Sequence, residues 1–483
     1  MIEIICSDQT YTYNAYHIVK AFYPSQDVSS RVEEKASNYV MAKLPDGELV
    51  AVPKSLNAEG REGKEIIDRY LYTELQEKTG QSLSWGILTG VRPTKIAMKC
   101  LEEGMRPSEF VEWLMEHCLV SREKAALSWM IANVEKNLLD QLDYENGYSL
   151  YVGIPFCPTV CSYCSFSSGS VKEWGHRMED YLQALCKELA YIGNVSKDKK
   201  LNTIYIGGGT PTTLSAEQLD KLLTCIDTCF SREHLLEFTV EAGRPDSITK
   251  EKLEVLRKHN ISRISINPQT MQQKTLDVIG RKHSVEEIRE VYHEARELGF
   301  DNINMDLIAG LPGETPDDMR DTLEQIRKLA PDSLTVHSLA IKRAAKMGQD
   351  QKQGLAEAVD IDKQNAYLSQ MIQDAFDSAR SMELYPYYLY RQKNIAGNFE
   401  NVGYAKVDKA GIYNILIMEE KQSIVAAGAG ASTKIVLKEA IEQPGNGKKK
   451  KTNLIRIENV KAIDAYIERI DEMIERKGEW LWR

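Results

Sequence analysis

No run of apolar residues in this chain approaches the length that a membrane-spanning helix needs. The first residues, Met1-Ile-Glu-Ile-Ile-Cys6, lack a charged region followed by an apolar one, so no export signal is read there. An excess of positive charge is missing as well: 61 Lys and Arg stand against 71 Asp and Glu, a net charge of −10. That balance argues against nucleic acid as the main partner. A cytoplasmic protein with no membrane span and no nucleic-acid partner is the expectation. With 42% hydrophobic and 27% charged residues, the composition is that of an ordinary soluble globular protein. At 483 residues the chain is long for one domain, and about two or three are expected.

A fourth ligand is lacking where the cysteines cluster. Cys157, Cys161 and Cys164 have the spacing C-x3-C-x2-C inside the stretch from Tyr151 to Phe166, and the next His is His176. Without an export signal, such grouping reads as ligands rather than disulfides. A structural zinc site takes four protein ligands. Three thiolates can instead hold three irons of a [4Fe–4S] cluster and leave the fourth iron open for chemistry. A zinc site short of one ligand and three unrelated core thiols are the alternatives. The other cysteines, Cys6, Cys100, Cys118, Cys186, Cys225 and Cys229, are scattered. Cys225 and Cys229 stand four apart in an expected helix, where core thiols are favoured over a metal pair.

Residues 1–145 mix short strand-like runs with helical ones, and are expected to form an α+β domain of unknown role. Asp46-Gly47 between two apolar runs reads as a hairpin turn, and apolar spacing predicts a helix over about 121–142. The basic, turn-rich piece from Gly86 to Lys95 is read as a loop and a helix start at Pro93, in preference to an anion site. From Asn146 strands alternate with helices, the signature of a parallel sheet with covering helices. Strands are expected at 148–153, 203–207, 236–241, 262–266, 302–308 and 333–339. Capping boxes start helices at Ser215 and Ser284, and Thr315-Pro316 starts a third. The fold class that follows is α/β, a partial (β/α)6 TIM-like barrel over 146–345, with right-handed crossovers and a mixed C-terminal extension over 346–483.

Barrels of this kind carry their sites at the C-terminal ends of the strands. Just past the expected strand ends lie the cysteine loop, Gly207-Gly208-Gly209-Thr210-Pro211-Thr212, Glu241-Ala-Gly-Arg244, Asn267-Pro-Gln269-Thr, Asp306 and His337-Ser-Leu-Ala340. Glycines let a backbone approach a ligand closely, and convergent polar groups at one face suit a small-molecule site. Beyond 345 the sequence predicts a long helix at about 355–380, the tyrosine-rich run from Tyr385 to Asn394, and Gly428-Ala-Gly-Ala-Ser-Thr433 after a strand-like run. Lys448 to Lys451 reads as an exposed hairpin tip.

The C-x3-C-x2-C motif with an aromatic before its last cysteine resembles the signature of the radical S-adenosylmethionine (SAM) enzymes. That resemblance implies an open iron that takes the amino and carboxylate groups of SAM, and a reduced cluster that splits SAM into methionine and a 5′-deoxyadenosyl radical. G-G-G-T-P-T resembles the segment holding the amino-acid part of SAM in the oxygen-independent coproporphyrinogen III oxidase (coproporphyrinogen dehydrogenase) family. Tyr151, Gly208, Gly209, Thr210, Glu241, Gln269, Arg281, Asp306 and Ala340 match that family in order and separation, strongly over 146–345 and more weakly to the end. By this resemblance Tyr151, Gly208 and Glu241 go to one SAM. Tyr163, Gly209, Thr210, Gln269, Arg281, Asp306 and Ala340 go to a second, and Tyr151 and Tyr163 are the catalytic candidates.

The sequence departs from the best-known oxidases in having Phe166 where they carry a fourth cysteine, an aromatic shared with a heme-chaperone branch. That branch carries H-N-x-x-Y-W, where this chain has Glu400-Asn401-Val402-Gly403-Tyr404-Ala405, without the histidine. With its large N-terminal segment, the whole looks most like the HemZ-type branch. The resemblance implies a radical SAM oxidoreductase that decarboxylates coproporphyrinogen III to protoporphyrinogen IX, in heme biosynthesis. Its implied partners are a tetrapyrrole substrate and an unidentified electron donor and acceptor. The alternatives are a heme chaperone of the same family and a radical SAM enzyme acting on another tetrapyrrole. The tyrosine run is then packing, or a wall against a flat tetrapyrrole with Lys342, Arg343, Arg391 or Lys393 pairing propionates. The Gly-Ala-Gly-Ala stretch resembles that family's close-packed backbone beside SAM.

Overall fold

The computed structural model describes residues 1–58, 60–90, 92–165, 168–340, 345–352, 361–392, 399–443 and 450–482. Phe166, Lys342, Arg343, Lys393, Asn394, Lys448 and Lys449 lie outside them. Six strands run side by side and parallel: β1 (Gly147–Ile154), β2 (Lys200–Gly208), β3 (Glu237–Gly243), β4 (Arg263–Ile266), β5 (Ile303–Ala309) and β6 (Ser333–Ser338). All six expected strands are present, with β2 beginning at Lys200 rather than 203. Most of their residues are buried on both faces, as strands covered by helices must be.

The helices between them are α1 (Met178–Val195), α2 (Ala216–Cys229), α3 (Lys250–Lys258), α4 (Val285–Glu297) and α5 (Pro316–Leu329). Each is amphipathic; α5, for instance, buries Met319, Thr322, Leu323 and Ile326, one stripe at helical spacing. Ser215, Ser284 and Thr315 cap α2, α4 and α5 through reciprocal bonds with Gln218, Glu287 and Asp318. Each cap satisfies amide groups that a helix start leaves bare, and is worth about 1 kcal/mol. Cys225 and Cys229 are half-buried on α2, with Cys225 Sγ 3.9 Å from the carbonyl oxygen of Cys186 on α1.

The sheet continues past this barrel-like middle. After helix α6 (Ile361–Ser381), strands β7 (Tyr385–Tyr390) and β8 (Asn401–Ala405) add to the β6 edge, with β8 antiparallel to β6. Helix α7 (Ile412–Glu419) leads to β9 (Ser423–Ala427), which pairs parallel to β1 at the other edge. The long ribbon β10 (Ser432–Gln443) and β11 (Lys450–Glu458) closes that side. The order across all eleven strands is β7-β8-β6-β5-β4-β3-β2-β1-β9-β10-β11. Among the described residues no pairing joins β7 to β11. Lys450 and Lys451, read from sequence as part of a hairpin tip, begin β11.

The final helix, α8 (Ile470–Gly478), is tied to the middle of the molecule by a buried ion pair. Lys477 and Glu188 of α1 are both 0% exposed, with Nζ donating to the carboxylate at 2.5 Å. Glu188 also accepts from Tyr466, Asn459 and the Gly428 amide just after β9. Tyr181 donates to Gly153 O of β1 at 2.7 Å and accepts from the Ala429 amide at 3.0 Å.

Residues 1–145 form a separate four-stranded sheet with helices, in which Asn38–Lys43 and Leu49–Pro53 make the expected hairpin around Gly47, at φ +89°. The expected long helix spans Arg122–Leu139 and packs against β7. A second helix, Thr94–Glu102, starts directly after Pro93. Trp85 Nε1 donates to Glu400 at 2.8 Å, Lys124 pairs with the same carboxylate, and Arg92 reaches Glu420 and the Met418 carbonyl. The Glu400-Asn401 step thus serves to anchor the N-terminal segment, and Asn401 Oδ1 caps the β6 end by accepting from the Ser338 amide.

Candidate active site

The loop that follows β1 carries the three cysteines, and β2 ends against it. Gly208 has φ +111°, which a side chain tolerates poorly. A Cβ on Gly209 would lie 2.5 Å from Phe156 O and 3.0 Å from Cys157 Sγ. Glycine is therefore required where the two loops touch. Their backbones are joined by Gly209 N–H to Ile154 O at 2.8 Å and Thr210 N–H to Phe156 O at 2.7 Å.

Donors surround the cysteine sulfurs. Thr210 Oγ1 lies 3.6 Å from Cys157 Sγ, and Arg244 Nη1 lies 3.9 Å from Cys161 Sγ. Arg244 also donates to Thr159 O and Oγ1 at 2.9 and 2.7 Å, and its other nitrogens form a fork on Asp246 at 2.9 and 2.6 Å. Burial pushes the Cys157 thiol up while the Thr210 and Ser168 hydroxyls work against it. None of the nine cysteines is in a disulfide. The sulfurs do not converge on one ion position among the described residues; in a [4Fe–4S] cluster each thiolate takes a separate iron. Three unbridged thiols from one loop, with N–H and O–H donors aimed at them and a glycine clearing the space, fit such a cluster.

The strand ends bring the remaining groups round one cavity of about 430 Å³. Tyr151, Cys157, Cys161, Tyr163, Cys164, Gly208, Gly209, Thr210, Glu241, Gln269, Arg281, Asp306 and Ala340 all line it. Glu241, at the end of β3, accepts a short hydrogen bond from Tyr205, and burial pushes its carboxyl up to about 7. Burial works to raise the Asp306 carboxyl too, yet His337, Asn304 and Thr335 hold it below its ordinary value. Gln269 takes a left-handed backbone, φ +69°, and bridges to β5 through Asp306 O and the Ile308 amide, each at 2.9 Å. Its Oε1 is buried without a partner. A strained residue with an orphaned oxygen in a cavity wall is a feature of ligand sites. Arg281 is buried, donates to Asn267 O at 2.5 Å, and has the Tyr163 hydroxyl and the Cys161 sulfur beside it.

Tyrosines form the rest of the wall. Tyr205 and Tyr413 stack at 4.5 Å, with Tyr151 6.2 and 6.3 Å from them. Opposite, Tyr388 and Tyr390 stack at 6.2 Å, and Tyr390 OH is 3.3 Å from His337 Nδ1. The tyrosine-rich run therefore divides: Tyr388 and Tyr390, two apart on β7, line the cavity, while Tyr387 is buried behind its wall, where it accepts from the lining residue Asn414 and stands near Arg263. Arg391, considered from sequence as a propionate partner, points elsewhere. It lies over Trp85 and donates to Leu88 O and Gly90 O of the N-terminal segment. The sequence places Arg244 among the strand-end groups but does not single out Tyr205, Tyr413 or Arg263; all four line the cavity. Arg263 did leave a signal: a charge inside a strand that must be buried on both faces.

The sequence model of the Radical SAM superfamily matches residues 151–326. The oxygen-independent coproporphyrinogen-III oxidase-like protein HemZ of Bacillus subtilis (strain 168) is 45% identical over 373 residues, 76% of this chain and 73% of its own length. The heme chaperone HemW of the same organism is 38% identical over 197 residues, 40% of this chain and 51% of its own length. Among solved structures, coproporphyrinogen III oxidase (HemN) from Escherichia coli overlays with a TM-score of 0.52 at 21% identity, covering 70% of this chain and 73% of that one. At that identity the overlay speaks for the fold.

Proposed function

We propose, from the premise that this chain belongs to the radical SAM family of oxygen-independent coproporphyrinogen III oxidase-like proteins, that it decarboxylates coproporphyrinogen III to protoporphyrinogen IX without oxygen. The observation that carries the reading is the convergence of all the residues singled out by resemblance on one cavity at the strand ends. A [4Fe–4S] cluster and SAM, the cofactors of the family, supply when bound a 5′-deoxyadenosyl radical. The propionate side chain gives up a β-hydrogen atom, then carbon dioxide and one electron, and is left as a vinyl group. Two propionates react in turn, and the donor and the acceptor of electrons are unidentified partners.

The chain's own residues hold and orient. Cys157, Cys161 and Cys164 would take three irons, with Thr210 and Arg244 donating to their sulfurs. Gly208 and Gly209 let the amino-acid part of SAM lie close to the backbone. Glu241 accepts from ribose hydroxyls when ionised, Tyr151 stands beside it, and Tyr163, Gln269, Arg281, Asp306 and Ala340 complete the walls. Tyr205, Tyr388, Tyr390 and Tyr413 give the flat apolar faces that a tetrapyrrole needs. Residues 1–145, of unknown role, and 346–483, which cover the substrate, act as units flanking the catalytic segment 146–345. No helix among the described residues is long and apolar enough to cross a membrane.

Mass spectrometry of an anaerobic reaction of reconstituted protein, SAM, a reductant and coproporphyrinogen III tests the reading. Loss of two carboxyl groups with formation of 5′-deoxyadenosine is expected. If 5′-deoxyadenosine forms while coproporphyrinogen survives intact, the substrate is wrong and heme binding is measured next, because HemW is also similar to this chain.

Glu241 makes SAM binding depend on pH. With its carboxyl at about 7, the ionised acceptor is scarce at pH 6 and dominant at pH 8. SAM affinity should therefore rise about tenfold across that interval, and a Glu241→Gln variant should bind more weakly with a flat profile. Equal slopes in the two proteins would remove Glu241 from the ribose.

A further inference from the structure

Arg263 is left over once the cluster loop and the SAM groups have been placed. It is the first residue of β4, at the strand end away from the cysteine loop, and its side chain lines the cavity although the residue is only 1% exposed. A guanidinium has five N–H donors. Here one is used, from Nη2 to Ser333 Oγ at 3.1 Å, and the buried Nε has no partner. The neighbouring acids are engaged elsewhere: Glu237 accepts from the first amides of α7 and Asp306 from Asn304, so both act on Arg263 only through space. Arg244 in the same cavity shows the contrast, with a forked carboxylate and two oxygens on its nitrogens, while the third buried arginine there, Arg281, is placed with SAM on the reading above.

A desolvated cation with idle donors is strongly unfavourable unless an anion completes it. The cavity is where that anion enters. Its class follows from the geometry and charge around it: a planar carboxylate matches the guanidinium fork, and a phosphate dianion would face the Glu241 and Asp306 side chains lining the same space. We propose that Arg263 binds a ligand carboxylate at the inner end of the cavity. Resting on the tetrapyrrole reading above, the carboxylate is a propionate that the product retains, since an ion-paired carboxylate is stabilised in its ground state and resists leaving as carbon dioxide.

Two probes test this on anaerobically reconstituted full-length protein, wild type, Arg263→Met and Arg263→Lys. Sodium propionate should raise the thermal midpoint of the wild type where propionamide with matched salt does not. Arg263→Met, with an unpaired buried charge removed, should melt no lower than wild type and ignore propionate, with Arg263→Lys intermediate. Coproporphyrin III should bind wild type at least about tenfold more tightly than its tetramethyl ester, and Arg263→Met within about twofold. Equal propionate responses in wild type and Arg263→Met, or no response in wild type, would make Arg263 a structural cation and overturn the site. If propionate behaves as expected and neither porphyrin binds, the carboxylate site stands and the tetrapyrrole substrate falls. Should Arg263→Met fail to fold, the wild-type contrast between propionate and propionamide and the response of Arg263→Lys decide the matter.

Discussion

Cys161→Ala should reduce 5′-deoxyadenosine formation from SAM to background and strip the protein of most of its iron. The expected loss exceeds the roughly 10–100-fold that removal of an outer partner of a metal ligand costs. Three thiolates are the whole protein contribution to the cluster on this reading, and two leave two irons exposed rather than one. Cys161 is also the sulfur on which the buried positive charge converges. Arg244 Nη1 lies 3.9 Å from it, and Arg281 stands beside it as well. With that sulfur gone, Arg281 loses a hydrogen-bonding neighbour while Arg244 keeps its fork on Asp246, so a modest loss of stability should accompany loss of iron. Thr210→Val and Arg244→Met touch the sulfurs without supplying one, and should fall in the 10–100-fold range. Cys225→Ala, beside α1 and not part of the cavity lining, should leave iron content and SAM cleavage unchanged. Iron analysis, the spectrum of the reduced cluster and chromatography of 5′-deoxyadenosine read all four. Wild-type iron and turnover in Cys161→Ala would refute the ligand set.

The strand-end groups were legible from sequence because a parallel sheet covered by helices announces its strands as short apolar runs between capped helices. Once those runs are located, Glu241, Gln269 and Asp306 fall at one face by position alone. Two physical effects hid the rest. β9 pairs with β1 across 275 residues of sequence, Ser423 opposite Tyr148, and a five-residue apolar strand does not say which edge it will join. The sequence places Ser423–Ala427 as a strand and is silent on its neighbour. The tyrosine run is irregular in register: the pairing of β7 with β8 shifts between Pro386 and Tyr388, so simple alternation does not tell which rings face inward. Arg391 illustrates a third limit. Its charge pointed to an anionic substrate, yet backbone carbonyls at Leu88 and Gly90 take its donors, and carbonyls leave no mark on the sequence.

Lys477→Met should cost about 3–5 kcal/mol, the range for removing one partner of a buried ion pair. Both partners are fully buried, so the Glu188 carboxylate left behind cannot recover its hydration. Asn459 loses a bond too, since Lys477 Nζ donates to its Oδ1 at 2.6 Å. The consequence should reach the active site. Glu188 holds the Gly428 amide at 2.9 Å, and a Cβ on Gly428 would lie 2.6 Å from Gly153 O, which measures how tightly that turn packs on β1. β1 in turn delivers the cysteine loop. Loosening α8 should therefore speed hydrogen exchange at 428–431 and 470–478 and weaken SAM binding, although Lys477 lines no part of the cavity. The double replacement Glu188→Met with Lys477→Met removes both charges and fills the space with apolar atoms, so it should recover a large part of the lost stability. Its remaining deficit reports the Gly428 amide and Tyr466 hydroxyl, both of which the carboxylate accepts from. If Lys477→Met melts like wild type, the pair contributes nothing to docking of the last helix. If it melts lower but exchange at 428–431 is unchanged, the helix is held by the pair while the turn beside β1 is held by its own packing.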